Sequence, residues 1–510
     1  MPSPPTNAAR RLALPVVLAA PLLFVLRLHL LVRMDLALDG DEAVVGLMSL
    51  HALQGKGLAL FFYGQNYGLS GLEVLGGALG FALLDVSAGV LRAAVLLLWA
   101  LGGAFLVAAA ARLGSRAAAW WTLALMASCP AWLEWSMKAR GGYITAFLFF
   151  SVSLWLAAQL RGRGGWPWLL LGACCTVVLF AQALWFPGLV ALVGALWWER
   201  RDAAAARLWL GGAVATGIAL VLAAGGSGYW LPGLTQQIHP LRSLLRLPGR
   251  LFTLLHGAYL YEEAQPIGGF SSAAGALWLL ALLALTLILA ACIVRRRSSP
   301  LQRAGLAALL AAPVLSLVMS FPGFGYRYLL PVSVVLVLLL ALEAGSQRSN
   351  VATASARVVA GILVLLGFLA LGERSARPLH ATGSSVYALN AADERALLDE
   401  LRIRGIHQVY SLDPLLPWNL AFASREDIVG RWFSSQDRYP AYPRAVDAAL
   451  EDGLPLALVG RSFQEEYLLE RSRMAGLPEP RRVHLNGDLF LVERPDETLL
   501  RALGFQLETR

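Results

Sequence analysis

Three carboxylates crowd into four residues, Asp39-Gly40-Asp41-Glu42, shortly after the first long apolar run of the chain. Charged groups beside a membrane-spanning stretch are costly, and they are functional candidates by default. Later segments assigned to the same face add Glu73, then Glu134, Lys138, Arg140 and Tyr143. A third supplies His239, Arg242, Arg246, Arg250 and His256, with Tyr259, Tyr261, Glu262 and Glu263 beside them; a fourth supplies Tyr326, Arg327 and Tyr328. Acids come mainly from the first segment and cations mainly from the other three. That division suits group transfer from a phosphate-linked donor. A carboxylate takes the proton of an attacking hydroxyl, a contribution of about 10²–10⁴-fold. Cations hold the departing phosphate, and each such preorganised donor is worth about 10²–10³ in rate. Carboxylates this close also repel one another, so one of them is expected to have a raised pKa and to serve better as a base.

Each residue also has a plainer reading. Asp39 or Asp41 can cap a helix beginning near Glu42. Glu73 can pair with an arginine, and Glu134 with Lys138 one helical turn on. Lys138 and Arg140 can be snorkelling anchors, the tyrosines an aromatic belt, and Arg327 part of a structural interface. The first-segment acids could also accept a divalent cation.

The elements that must position these residues are membrane helices. Hydrophobic residues make up 57% of the chain and charged residues 15%, and the mean hydropathy is +0.61. Long, continuous Leu/Ala-rich runs specify helices, because lipid leaves no partner for an open backbone. Predicted spans are residues 12–32, 88–111, 117–133, 143–160, 166–184, 186–198, 208–225, 273–294, 304–320, 329–343 and 357–372, about eleven in all. The net charge of +9 does not indicate nucleic-acid binding. Its arginines gather in short loops: Arg112 and Arg116, Arg161 and Arg163, Arg200, Arg201 and Arg207, Arg295–Arg297 and Arg303, then Arg348 and Arg357. By the positive-inside rule those loops are cytoplasmic, and so is the N-terminus. The run after Arg10 and Arg11 is too long for a signal-peptide core and reads as a retained helix. Residues 34–86 then form a first outer loop whose two short helices, from Glu42 to Gln54 and from Gly71 to Leu84, are expected along the membrane surface. Cys129, Cys174, Cys175 and Cys292 lack metal-ligand spacing and read as small buried hydrophobes.

Residues 1–372 thus form an all-α polytopic membrane domain. Residues 383–510 differ: they are charged, and helical patterns (Ala391–Arg404, Arg444–Leu450, Phe463–Arg473) alternate with short apolar strands (His407–Ser411, Asp427–Val429, Leu456–Val459, Leu489–Val492). That alternation predicts a small soluble α/β domain outside the cytoplasm. No Walker loop, HExxH, GxSxG or dinucleotide fingerprint is present, so no soluble cofactor has sequence support.

Further residues carry a family resemblance. After Asp41-Glu42 come Tyr63-Gly64-Gln65-Asn66-Tyr67-Gly68 and Leu72-Glu73; much later Arg327-Tyr328-Leu329-Leu330-Pro331 precedes a helix, and a soluble tail follows. This plan resembles the GT-C-fold glycosyltransferases, particularly bacterial relatives of the protein O-mannosyltransferase and aminoarabinose transferase group (family 39-like). The resemblance implies an inverting hexosyl- or pentosyltransferase. The donor would be a polyprenyl-phosphate sugar, and the acceptor a hydroxyl or amine on a glycan, lipid or protein. The reaction would take place on the outer face of a bacterial inner membrane. It makes Asp41 the catalytic base and Glu42 its positioning or substrate-contacting partner. Asp39, Tyr63, Gln65, Tyr67, Glu73, Glu134, Lys138, Tyr143 and Tyr328 become candidate substrate contacts, and Arg140 and Arg327 candidate ligands of the donor phosphate. Asp39 is an extra acid beside the pair and leaves the identity of the base open. The rival readings are a flippase for lipid-linked saccharides, which needs polar groups near the bilayer midplane, and an oligosaccharide polymerase or ligase.

Overall fold

The computed structural model describes residues 7–32, 37–160, 164–198, 202–224, 240–257, 269–296, 298–318, 326–376, 389–434, 437–485 and 488–507. His239, Tyr259, Tyr261, Glu262, Glu263 and the Arg242 side chain lie outside the described residues. The chain opens with α1 (Asn7–Val32), α2 (Gly40–Leu53), α3 (Gly71–Leu83), α4 (Ala88–Leu113), α5 (Arg116–Ser128), α6 (Trp132–Trp135) and α7 (Tyr143–Leu160). It continues with α8 (Pro167–Ala181), α9 (Phe186–Trp198), α10 (Ala203–Ala224), α11 (Pro240–Leu255), α12 (Gly269–Val294), α13 (Pro300–Val318), α14 (Leu330–Ala344) and α15 (Val351–Ala376).

Among the described residues each predicted span is helical over most of its length, and seven of the eleven are long and apolar enough, by length and composition, to cross a membrane. The shortfall lies in α5, α8, α9 and α13. A 13-residue helix rises only about 20 Å, against a hydrocarbon core of about 30 Å. The chain breaks between α8 and α9 at Gln182, whose extended backbone leads into a single 3₁₀ turn over Ala183–Trp185. Pro187 then sits in the first turn of α9, where a missing N–H costs nothing.

α4 is central, packing against α1, α3, α5 and α7, while α10 lies on α8. That last pair meets at Gly172 and Gly212: a Cβ on either would come within 1.9 Å of a carbonyl oxygen of the other helix, so glycine is what permits the approach. Arg27 on α1 is fully buried and donates to the carbonyls of Ala127 (2.9 Å) and Cys129 (3.3 Å). It thereby satisfies orphan carbonyls at the end of α5.

α2 is enclosed by protein. Eleven of its fourteen residues are buried. Beyond Glu42 the helix reads Ala-Val-Val-Gly-Leu-Met-Ser-Leu and has no polar stripe, and a helix apolar all round must be enclosed. α3 covers one side and a helix of the C-terminal domain another. α3 itself leaves Leu75, Leu79 and Leu83 exposed at helical spacing.

The C-terminal part runs α16 (Ala391–Ile403), β1 (Gln408–Ser411), α17 (Leu416–Ala423), β2 (Val429–Arg431), α18 (Ala441–Glu451), β3 (Leu456–Arg461), α19 (Glu465–Met474), β4 (Arg482–Leu485), β5 (Leu489–Glu493) and α20 (Glu497–Ala502). Its sheet has the order β2-β1-β3-β5-β4. β1 is parallel to β2 and β3, and β5 is antiparallel to β3 and β4. Alternation along the strands divides the core. Ala457, Val459, Leu489 and Leu491 pack with Leu397 and Leu401 of α16 and Leu416 and Leu420 of α17. Leu456, Leu458, Phe490 and Val492 pack with Val446, Leu468 and Leu500 on the other face. α17 also turns Trp418, Ala421 and Phe422 into the membrane-domain core. It joins the two parts, lying so close to α2 that a Cβ on Gly46 would be 2.6 Å from the Phe422 ring.

Candidate functional site

The site begins at the N-terminus of α2. Asp39 is its N-cap: Oδ1 accepts from the backbone N–H of Asp41 (2.8 Å) and Glu42 (2.9 Å), while Glu42 Oε2 accepts from the Asp39 N–H (3.1 Å). This capping box holds the three acids in one arrangement. Asp39 and Glu42 face inward, each at most 2% exposed, whereas the Asp41 side chain is 17% exposed.

Cations come to these acids from four parts of the chain. Lys138, in the segment after α6, is buried and contacts three carboxylates: Glu134 at 2.7 Å, Asp39 at 2.9 Å and Glu42 at 3.4 Å. Arg92 of α4 reaches Glu42 at 3.4 Å and the Ala37 carbonyl at 2.9 Å. Arg140 bridges both aspartates, with Nη1 3.2 Å from Asp39 Oδ2 and Nη2 2.6 Å from Asp41 Oδ2. The C-terminal domain supplies Arg438, whose Nη1 donates to Asp41 Oδ1 at 2.7 Å. Arg327, in the 3₁₀ turn Tyr326–Leu329 ahead of α14, also acts electrostatically on Asp41. It donates to the Tyr328 hydroxyl (3.2 Å) and lies over that ring, while its buried Nε has no hydrogen-bond partner among the described residues. Tyr143 packs against Tyr328 and Trp135.

The expected raised carboxylate does not occur in the Asp39–Asp41 pair. Burial alone would lift both pKa values, but Lys138 and Arg140 at Asp39, and Arg140 and Arg438 at Asp41, outweigh it. Both therefore lie below the ordinary carboxylate range, because cations outnumber the repelling acids. Among the described residues no group of three or more His, Cys, Asp or Glu side chains is placed to hold a metal ion.

The remaining candidates separate. Tyr67 lies within the field of Asp41, Arg327 and Arg438. Tyr63 turns away, bonding His51 at 2.7 Å and stacking on Tyr439, and Gln65 closes the turn between them through its N–H to the Phe62 carbonyl. Glu73 is fully buried and caps α7, accepting from the N–H groups of Ile144 and Thr145 and the Thr145 hydroxyl.

This geometry stands on a known architecture. The structure of ArnT from Cupriavidus metallidurans in the apo state superposes with a TM-score of 0.52, at 13% identity over 95% of this chain and 98% of that one. The same protein bound to undecaprenyl phosphate gives 0.54 at the same identity and coverage. The fold is GT-C-like. No protein-family model and no curated protein matches the sequence.

Within this GT-C-like frame the sequence reading missed Arg92 and Arg438. Arg92 is a lone charge inside an apolar run, which is itself a signal. Arg438 carried no signal, being 397 residues from its partner. A second cross-domain cluster was equally hidden. Glu426 accepts from His51 (2.9 Å), Lys56 (2.7 Å) and Tyr442 (3.0 Å). Burial would raise its carboxyl, but these donors hold it down at about 2.

Proposed function

We propose that this chain is a membrane glycosyltransferase that takes a sugar from a polyprenyl-phosphate donor and passes it to an acceptor hydroxyl or amine with inversion. The observation that carries the proposal is Asp41: the most exposed acid of the cluster, ringed by Arg140, Arg327 and Arg438, at the junction of the membrane domain and the sheet domain. The shared fold with ArnT, seen there with undecaprenyl phosphate bound, supports a lipid-phosphate donor.

In the proposed step the acceptor oxygen or nitrogen attacks the anomeric carbon and Asp41 takes its proton. The bond from that carbon to the phosphate oxygen breaks, and the lipid phosphate leaves with the electron pair. Guanidiniums stabilise the charge developing there. Asp39, Glu42, Glu134, Arg92 and Lys138 are buried supports that fix the rim. The site then faces the periplasm, because the arginine-rich loops 161–163, 200–207 and 295–303 mark the cytoplasmic side of an inner membrane. Incubating the purified protein with isotopically labelled polyprenyl-phosphate hexoses and pentoses, with glycan, lipid and peptide acceptors, tests this by mass spectrometry. The expected result is a labelled acceptor together with released lipid phosphate. Vectorial movement of an intact lipid-linked sugar in vesicles, with no new glycosidic bond, would instead make the protein a flippase.

A further inference from the structure

Both oxygens of Asp41 are taken. Oδ2 is held by Arg140 and Oδ1 by Arg438, so an acceptor's proton must compete with a guanidinium at either oxygen. Around it stand three guanidiniums, and the buried Nε of Arg327 has no hydrogen-bond partner among the described residues. A phosphate with several acceptor oxygens would satisfy such a set better than one carboxylate.

The three arginines are not held equally. Arg140 is 7% exposed and bridges two aspartates, whereas Arg438 is 31% exposed. Its backbone packs on the first loop: the Arg438 Cα lies so near the Tyr63–Gly68 turn that a Cβ on Gly64 would approach it to 3.0 Å. Its guanidinium rests on the Phe62 ring, 4.9 Å from the centroid. The head group can therefore swing without moving the domain, and a partly exposed ion pair is weak enough to exchange.

Resting on the donor class proposed above, we infer that Arg438 is a phosphate ligand delivered by the C-terminal domain, which trades Asp41 for the phosphate of the lipid donor and so frees Oδ1 to take the acceptor's proton. Donor binding and base activation are then one event. Asp41 is left facing Arg140, Arg327, Asp39 and Tyr67, with one cation fewer, and its proton affinity rises toward a useful range.

The test measures binding of undecaprenyl phosphate, undecaprenol and inorganic phosphate to full-length protein in detergent. Variants are Arg438→Ala, Arg438→Lys, Asp41→Asn and, as a control, Arg425→Ala, which breaks the exposed Arg425–Asp85 pair across the same domain junction. Wild type is expected to prefer undecaprenyl phosphate over undecaprenol. Arg438→Ala should weaken the phosphate lipid about tenfold and leave undecaprenol unchanged, with Arg438→Lys between, because the guanidinium fork is lost while a charge remains. Arg425→Ala should match wild type. Asp41→Asn removes the competing partner and should tighten the phosphate lipid about two- to tenfold. Equal affinity of Arg438→Ala and wild type for undecaprenyl phosphate overturns the inference while leaving the donor class standing. So does an equal loss in Arg425→Ala, which would make the effect domain docking. Displacement of the lipid by an equal concentration of inorganic phosphate assigns the site to free phosphate and overturns the lipid assignment. A wild type that cannot tell undecaprenyl phosphate from undecaprenol overturns the functional reading itself.

Discussion

At the scale of single residues, the acid cluster is a charge-balanced core with one member at its rim. Lys138 is the hub, touching Glu134, Asp39 and Glu42 while almost fully buried. Removing one partner from a buried ionic group is strongly destabilising, by about 3–5 kcal/mol. Lys138→Met is therefore expected to lose that much stability in denaturant melts, and a melt unchanged from wild type would remove the hub. The lowered Asp39 and Asp41 carboxyls also predict a pH dependence. Near and below about pH 4 an unfolded aspartate binds a proton that the folded site still refuses, so unfolding takes up protons and stability falls as the pH drops. Above the unfolded value the contribution is fully present. Thermal melts should fall steeply below about pH 4, and less steeply in Asp41→Asn. The positions of the acids were readable because charge beside lipid is conspicuous. Their pKa direction was not, because it depends on Arg438 and on the number of cations that converge.

At the scale of elements, the long helices were legible because their apolar runs are unbroken, and the strands because they alternate with helical stretches. α2 was not legible, because part of what buries it is α17, which comes from the far end of the chain. Its register with α17 rests on Gly46. Gly46→Leu should lift the sheet domain from the membrane domain, which hydrogen exchange would report as faster exchange of the α17 amides; an unchanged exchange rate would mean α17 docks elsewhere. Glu73 is a second lesson. An acid in an apolar helix resembles a substrate contact in sequence, yet here it satisfies the first N–H groups of α7. Loss of a helix cap costs about 0.5–2 kcal/mol. Glu73→Ala is expected to lower the melting temperature by that equivalent and to leave binding of undecaprenyl phosphate within about twofold.

At the scale of the whole molecule, the first loop, the segment after α6, the turn before α14 and the sheet domain meet at one end of the helical bundle. Sequence order separates them by hundreds of residues, and no periodicity encodes their meeting. The GT-C-like architecture brings them together. The sheet domain is then more than an appendage, since it encloses α2 and places Arg438 on Asp41. The proposed sugar transfer rests on Asp41 as the proton acceptor. The most direct measurement is the rate of glycoside formation from a labelled polyprenyl-phosphate sugar by wild type and Asp41→Asn, with both shown to be folded and to bind undecaprenyl phosphate. A loss of about 10²-fold or more is expected in the variant, with lipid binding retained. Turnover by Asp41→Asn close to that of wild type would contradict it.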